Sequence, residues 1–189
     1  MTDKINLLTK FNFCIKKTPV IIINGEGQDF TFEVIRQLLE KLKKEVLILK
    51  SNSLEVKNFN FFIKNSSLPV LVVNRLGDIS SEETQKLVKM LPNQGYLILN
   101  FDDEMIRGIK KESSARILTL GLQSGSDFQA SDIKLNTGTN FKINHEGDIV
   151  PIWLKKLYEK EQIYSVLAGV AVGTIFDLNL IEISQTLSA

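Results

Sequence analysis

The chain has little of what usually carries chemistry. Among 189 residues it has one cysteine, Cys14, and one histidine, His145. A single cysteine excludes an internal disulfide and suits a reducing cytoplasm. One histidine beside one cysteine excludes a His/Cys zinc site. No apolar run reaches the roughly 18 residues a membrane span needs. The N-terminus opens with Asp3 and Lys4 and has no continuous apolar stretch, so no secretory signal is expected. Net charge is almost absent, at +1. No whole-chain field therefore favours nucleic acid or an anionic membrane. There is no repeat, low-complexity tract or interdomain linker. The expectation is a cytoplasmic protein with no nucleic-acid partner and no membrane span.

What is present is a core. Hydrophobic residues make up 43% of the chain and charged residues 24%, ordinary values for a globular domain. At this length a single domain, 1–189, is the simplest division. The chain is organised around PVIIINGEGQDFTFEVIRQLL, Pro19 to Leu39. Val20 to Ile23 reads as a buried strand, Gly25-Glu26-Gly27 as a tight turn, and an amphipathic helix follows from about Phe30. A strand, a glycine turn and a helix N-terminus together form a usual cradle for phosphate. The chemistry of that cradle is missing. G-x-x-x-x-G-K-[ST] needs a lysine for phosphate charge and a hydroxyl for Mg²⁺. Here Gln28 and Asp29 follow the second glycine.

Other elements follow in order. Residues 3–16 have apolar residues at helical spacing among lysines, and the reading is a short helix, within 1–17, packed on the domain. Glu45 to Leu49 reads as a second buried strand, so strand, helix and strand make a βαβ unit with a right-handed crossover. Residues 51–68 are the least readable, and FNFFI (Phe59 to Ile63) fits a short helix or an irregular edge. Pro69 to Asn74 is a buried strand. Ser80 or Ser81 caps a helix through Met90, with Glu83 at capping-box spacing from Ser80. Tyr96 to Leu99 is a strand, and Asp102 or Asp103 starts a helix through about Lys111. Arg116 to Leu120 is a strand. Asp127 to Leu135 alternates, and Asn140 to Ile149 carries turn residues around His145, so antiparallel strands are expected between 127 and 152. Gln162 to Phe176 is an apolar helix with Leu167, Val170 and Ala171 buried. Asn179, with Glu182, box-caps a last helix, Leu180 to Leu187. The fold class is α/β: a three-layer, P-loop-like, mostly parallel sheet with helices on both faces and a few appended antiparallel strands.

Three stretches, in this order, resemble the central, ATP-binding domain of the Mur ligases, closest to the branch that adds D-alanyl-D-alanine. They are Gly95 to Arg107 (GYLILNFDDEMIR), Arg116 to Leu122 running on to Ala130-Ser131-Asp132-Ile133, and Gln162 to Leu187. The resemblance covers about 170 residues and stops where such a central domain would stop. Nothing resembles the family's N-terminal or C-terminal domain. The resemblance implies peptide ligation on cell-wall precursors, with ATP and Mg²⁺. The family-equivalent nucleotide positions are Gly25, Gly27, Gln28, Asp29, Asn100, Gln162 and Ser165.

The equivalent positions are altered. Gln28 stands for the phosphate-loop lysine and Asp29 for the Mg²⁺-binding hydroxyl, in a loop one residue short. Asp29 reads better as a helix N-cap than as a phosphate ligand. Two unit charges about 4 Å apart repel by about 4 kcal/mol at an effective dielectric near 20, so Glu26 and Asp29 oppose a triphosphate. Asn74 takes the place of a metal-binding glutamate or fits a T-N-x-G strand that lacks its histidine. The carbamylated lysine falls on Thr84, and Lys86 reads as a solvated helix residue. The H-N-x-x-N motif reads Glu161-Gln162-Ile163-Tyr164-Ser165. His145 reads as a surface turn residue, and Asp102 and Asp103 as a helix start.

The function expected is a degenerate Mur ligase central domain, a pseudoenzyme serving as a binding or scaffolding module. No catalytic residue, metal ligand or cofactor is assigned. Its partner is left open, either a protein or other Mur-type domains. The rival is an active ATP-dependent ligase with rearranged ligands, or one completed by partner chains, and only that reading calls for ATP and Mg²⁺. A weaker reading is a mononucleotide or dinucleotide binder using Gly25 and Gly27.

Overall fold

Aliphatic runs buried on both faces make the centre of the molecule. In a computed structural model describing residues 7–42, 45–53, 56–75 and 81–188, eight strands form one sheet in the order β2-β1-β3-β4-β5-β6-β7-β8. The strands are β1 (Val20–Asn24), β2 (Leu47–Lys50), β3 (Pro69–Val73), β4 (Tyr96–Asn100), β5 (Arg116–Gly121), β6 (Phe128–Leu135), β7 (Thr139–His145) and β8 (Asp148–Leu154). Strands β1 to β6 pair in parallel, and β6-β7-β8 are antiparallel.

The two-residue period of a strand builds two cores. Val20 and Ile22 face one, with Leu71, Val73, Leu97 and Leu99. Over that face lie α1 (Leu7–Lys16), α3 (Val56–Asn65), α4 (Ser81–Met90) and α5 (Glu104–Ile109). Ile21 and Ile23 face the other core, with Val70, Val72 and Ile98. There α2 (Gln28–Leu39), α6 (Lys160–Ile175) and α7 (Leu180–Ser188) cover the sheet. The antiparallel end gives only one face to that second core, through Phe128, Ala130, Phe141, Ile143, Ile152 and Leu154. One buried face is why those strands alternate while β1 and β3 do not. The hairpin β7-β8 turns at Glu146-Gly147, both at positive φ, as a two-residue turn matched to strand twist requires.

α6 is apolar all round and buried from Ile163 to Gly173, with Leu167, Val170 and Ala171 at 0% exposure. Gly169 and Gly173 admit its neighbours: a Cβ there would lie 2.4 Å from Val34 Cγ1 and 2.8 Å from Ile183 Cδ1 respectively. α7 starts at the expected box, with Glu182 N donating to Asn179 Oδ1 and Asn179 N to Glu182 Oε2. In α1, Phe13 is buried and meets Phe62 edge-on at 4.9 Å.

Several boundaries differ from the sequence expectation. β2 begins at Leu47, and its residues are half-buried because it is the edge strand. FNFFI is helical, with Phe59, Phe62 and Ile63 buried at i, i+3 and i+4. Helix α2 starts at Gln28 instead of Phe30. Gly27, in the left-handed region at φ 73°, takes the cap position. Asp29 is therefore not the cap. It lies in the first turn, largely exposed, and pairs with Lys50 Nζ. Lys4 and Ser80 lie outside the described residues.

Candidate functional site

The site lies at the carboxyl ends of β1 and β3, where open parallel sheets place their ligand crevices. The chain leaves β1 at Asn24, whose carbonyl accepts from Asn74 N at 3.3 Å. Gly25 turns at φ 114°, and a Cβ there would stand 2.2 Å from the Arg75 carbonyl, so only glycine fits. Glu26 N donates to that carbonyl at 2.8 Å. One N–H of the turn is thus bound to the neighbouring strand end. Gln28, Asp29 and Phe30 head α2, where backbone N–H groups have no intrahelical partner.

A buried polar cluster lies behind the turn. Thr31, Asn74 and Ser165 are all at most 3% exposed. Asn74 Nδ2 donates to Thr31 Oγ1 at 3.0 Å and to Ser165 Oγ at 3.1 Å. Thr31 Oγ1 lies 2.9 Å from Ser165 Oγ and 3.0 Å from the Gly27 carbonyl. On the other face, Asn24 Nδ2 donates to Thr84 Oγ1 at 2.8 Å, and Thr84 is fully buried. Lys86, one helical step away, is exposed.

Charge gathers at the mouth. Arg75 Nε lies 3.4 Å from Glu26 Oε2, and Arg75 Nη1 lies 3.4 Å from Glu161 Oε1. These are half-exposed pairs, each worth about 0–1 kcal/mol. Beneath them is a cavity of about 220 Å³, lined in part by Gly27, Phe30, Asn74, Tyr164 and Ser165. A second hollow of about 280 Å³ adjoins it, lined by Asn100, Asp102, Asp103, Gln123 and Lys160, and shares Arg75, Glu161 and Tyr164.

The two aspartates divide their work. Asp103 caps α5, its Oδ1 accepting from Met105 N and Ile106 N. Asp102 does not start the helix. Its carboxylate accepts from Leu122 N at 2.7 Å, Gln123 N at 3.2 Å and Tyr164 Oη at 2.8 Å. It thus ties β4, the exit of β5 and α6 together. Burial, and next the bond to the Asp102 carboxylate, push the Tyr164 phenol above its ordinary range.

The positions singled out in the sequence have different fates. Gly27 and Ser165 come together, a Cβ on Gly27 lying 3.5 Å from Ser165 Oγ. Gly25 backs them against Arg75. Gln28 heads α2 with its Oε1 buried. Asp29 turns away to Lys50. Asn100 lines the second hollow, and its Oδ1 accepts from Asp102 N. Gln162 borders the first cavity, but its Oε1 accepts from Glu159 N at 2.9 Å to box-cap α6. His145 ends β7, stacked on Phe128 at 3.8 Å with Nδ1 2.8 Å from the Asp127 carbonyl. Thr31, Arg75 and Tyr164 were not flagged by sequence. A threonine on the apolar side of α2 was the one available signal for Thr31. Among the described residues no group of three or more His, Cys, Asp and Glu side chains can hold a metal ion, and no helix is long and apolar enough to cross a membrane.

The architecture defines a class first: an α/β domain with a glycine-turn cradle at the carboxyl end of a parallel sheet. The model of the Mur ligase middle domain matches residues 81–173. The UDP-N-acetylmuramate–L-alanine ligase of Hydrogenobaculum sp. (strain Y04AAS1) is 27% identical over 171 residues, covering 85% of this chain and 36% of that protein. The same-named ligase of Endomicrobium trichonymphae is 28% identical over 184 residues, 90% of this chain and 40% of that protein. Among solved structures, a UDP-N-acetylmuramoylalanyl-D-glutamyl-2,6-diaminopimelate–D-alanyl-D-alanyl ligase from Acinetobacter baumannii superposes with a TM-score of 0.78 at 17% identity. It is covered over 47% of its length and covers 95% of this chain. Over residues 81–173 the chain is similar to the Mur ligase middle domain, and over most of its length it is similar to Mur ligases. It spans well under half the length of those two sequence relatives. Those two are named for L-alanine addition, whereas the D-alanyl-D-alanine enzyme shares the fold at low identity.

Proposed function

We propose that this chain is a Mur ligase middle domain that has lost ATP-dependent ligation and works as a binding or scaffolding module tied to cell-wall precursor synthesis in the cytoplasm. The observation that carries the reading is the state of the glycine turn. Its Glu26 N–H is taken by the Arg75 carbonyl, and the nearest guanidinium, Arg75, is shared between Glu26 and Glu161. The turn supplies no lysine and no hydroxyl at the two positions where the family pattern needs them. Phosphoryl transfer rests on positioning and on neutralising phosphate charge. MgATP fits this residue set poorly. The link to cell-wall precursors rests on the relatives, which are named as ligases acting on UDP-N-acetylmuramate.

Calorimetry of the purified chain with MgATP, paired with a phosphate-release assay, tests this reading. Negligible binding and no release are expected. Gln28→Lys alone should leave both unchanged, because the metal-binding and carbamate-bearing residues of the family pattern would still be absent. A dissociation constant in the low micromolar range would overturn the reading and favour an active ligase.

A further inference from the structure

The cavity at the glycine turn is where the fold leaves a polar group unmet. Asn74 is 3% exposed and lines it, and its Oδ1 has no hydrogen-bond partner among the described residues. Its neighbours fix the orientation of the amide. Thr31 Oγ1 donates to Ser165 Oγ at 2.9 Å or to the Gly27 carbonyl at 3.0 Å, and Ser165 Oγ donates to the Glu161 carbonyl at 3.4 Å. Their lone pairs are then left to accept, and both accept from Asn74 Nδ2. The nitrogen is spent on the hydroxyls, so the carbonyl oxygen faces away from them. A buried acceptor without a donor is costly, and a ligand N–H removes that cost.

The rest of the cavity narrows the ligand. Phe30 and Tyr164 contribute ring surface, and Gly27 adds no side chain. At the mouth, Glu26 and Glu161 share one guanidinium, so two negative charges meet one positive. An anion is disfavoured, and a neutral or cationic head is accepted. A volume of about 220 Å³ is smaller than the roughly 300–1,000 Å³ of pockets for drug-sized ligands.

We propose that this cavity binds a small planar molecule bearing an amide- or amidine-type N–H donor and no negative charge. The inference rests on the reading that the turn has lost its phosphate role. It is tested by NMR titration of the whole chain with benzamide, benzamidine and benzoate, which share a ring and differ in the polar head. Benzamide and benzamidine should shift the Asn74 side-chain amide and the Gly27 and Phe30 backbone signals, each binding at least tenfold more tightly than benzoate. Benzoate binding as well as the other two, or shifts confined to other regions, would overturn it. Asn74→Leu should abolish the benzamide response. Should that variant fail to fold, the comparison of three heads on the parent chain still decides. Silence of all three probes in a chain that also ignores MgATP sinks this inference alone. Tight MgATP binding sinks the loss-of-ligation reading beneath it.

Discussion

Gly169→Ala probes the contact that holds the two helices of the cradle together. α6 meets α2 where Gly169 faces Val34, one turn beyond the Ser165–Thr31 contact. A Cβ at 169 would lie 2.4 Å from Val34 Cγ1 and 3.3 Å from Leu38 Cδ1. Carbon atoms rest at about 3.5–4.0 Å, so the helices must part by roughly 1 Å. Val34 is 5% exposed, and a β-branched side chain in a helix has essentially one χ1 rotamer, so it cannot swing aside. Two effects oppose each other. Alanine in a helix interior is favoured over glycine by about 1 kcal/mol. Overpacking costs about 1–3 kcal/mol, and so close an approach belongs in the upper part of that range. The net expectation is a loss of about 1–2 kcal/mol, read in urea titrations. Each kcal/mol should also lower Tm by about 2–4 °C in a chain of this size. Val34→Ala removes the clashing methyls, so the double variant should lose less than the sum of the singles, with a coupling of about 0.5–3 kcal/mol. A Gly169→Ala chain as stable as the parent, or strict additivity in the cycle, would refute the close approach.

Leu167→Ala, at 0% exposure in the middle of α6, should cost about 2–5 kcal/mol, and a loss below about 1 kcal/mol in the same titration would contradict its burial. Asp103→Ala should cost about 1 kcal/mol as the loss of a true N-cap, while Asp29→Ala should cost less, because its exposed pair with Lys50 is worth at most about 1 kcal/mol; equal losses would restore Asp29 as a cap. Tyr164 should ionise above the ordinary tyrosine range of about 10 in a phenolate absorbance titration, since burial and then Asp102 favour its neutral form. Its folded value is raised, so its contribution to stability is complete below about pH 10 and is lost as pH rises further. Tyr164→Phe should flatten that alkaline decline, and an unchanged slope would count against the Asp102 bond.

The sheet was legible because its central strands are buried on both faces. VIII, PVLVV and YLIL admit few other structures, and alternation marked the strands that bury one face only. α3 was harder to read, although Phe59, Phe62 and Ile63 carry a helical period. Asparagine, serine and lysine around that period raised the prospect of an irregular edge. The start of α2 was misread for a different reason. Residue type favours aspartate at a cap, and nothing in the letters states that Gly27 sits at φ 73° and begins the helix two residues before Phe30.

The site was half legible, and the division follows topology. Loop residues such as Gly25 and Gly27 are contiguous with their strand and helix, so a motif finds them. Thr31, Asn74 and Ser165 are separated by 43 and 91 residues along the chain. Only the placement of β3 beside β1, and of α6 across α2, makes them neighbours. Gln162, a family-equivalent nucleotide position, lines the first cavity, and its amide oxygen serves its own helix start. Residue type and spacing locate the turn. The geometry of the turn is set by hydrogen bonds across the sheet, where Arg75 closes the turn through its carbonyl and shares its guanidinium between both carboxylates. A single residue bound to the turn at both ends is a further reason to expect that Gln28→Lys alone brings no MgATP binding. The guanidinium and the Glu26 N–H are already committed within the chain.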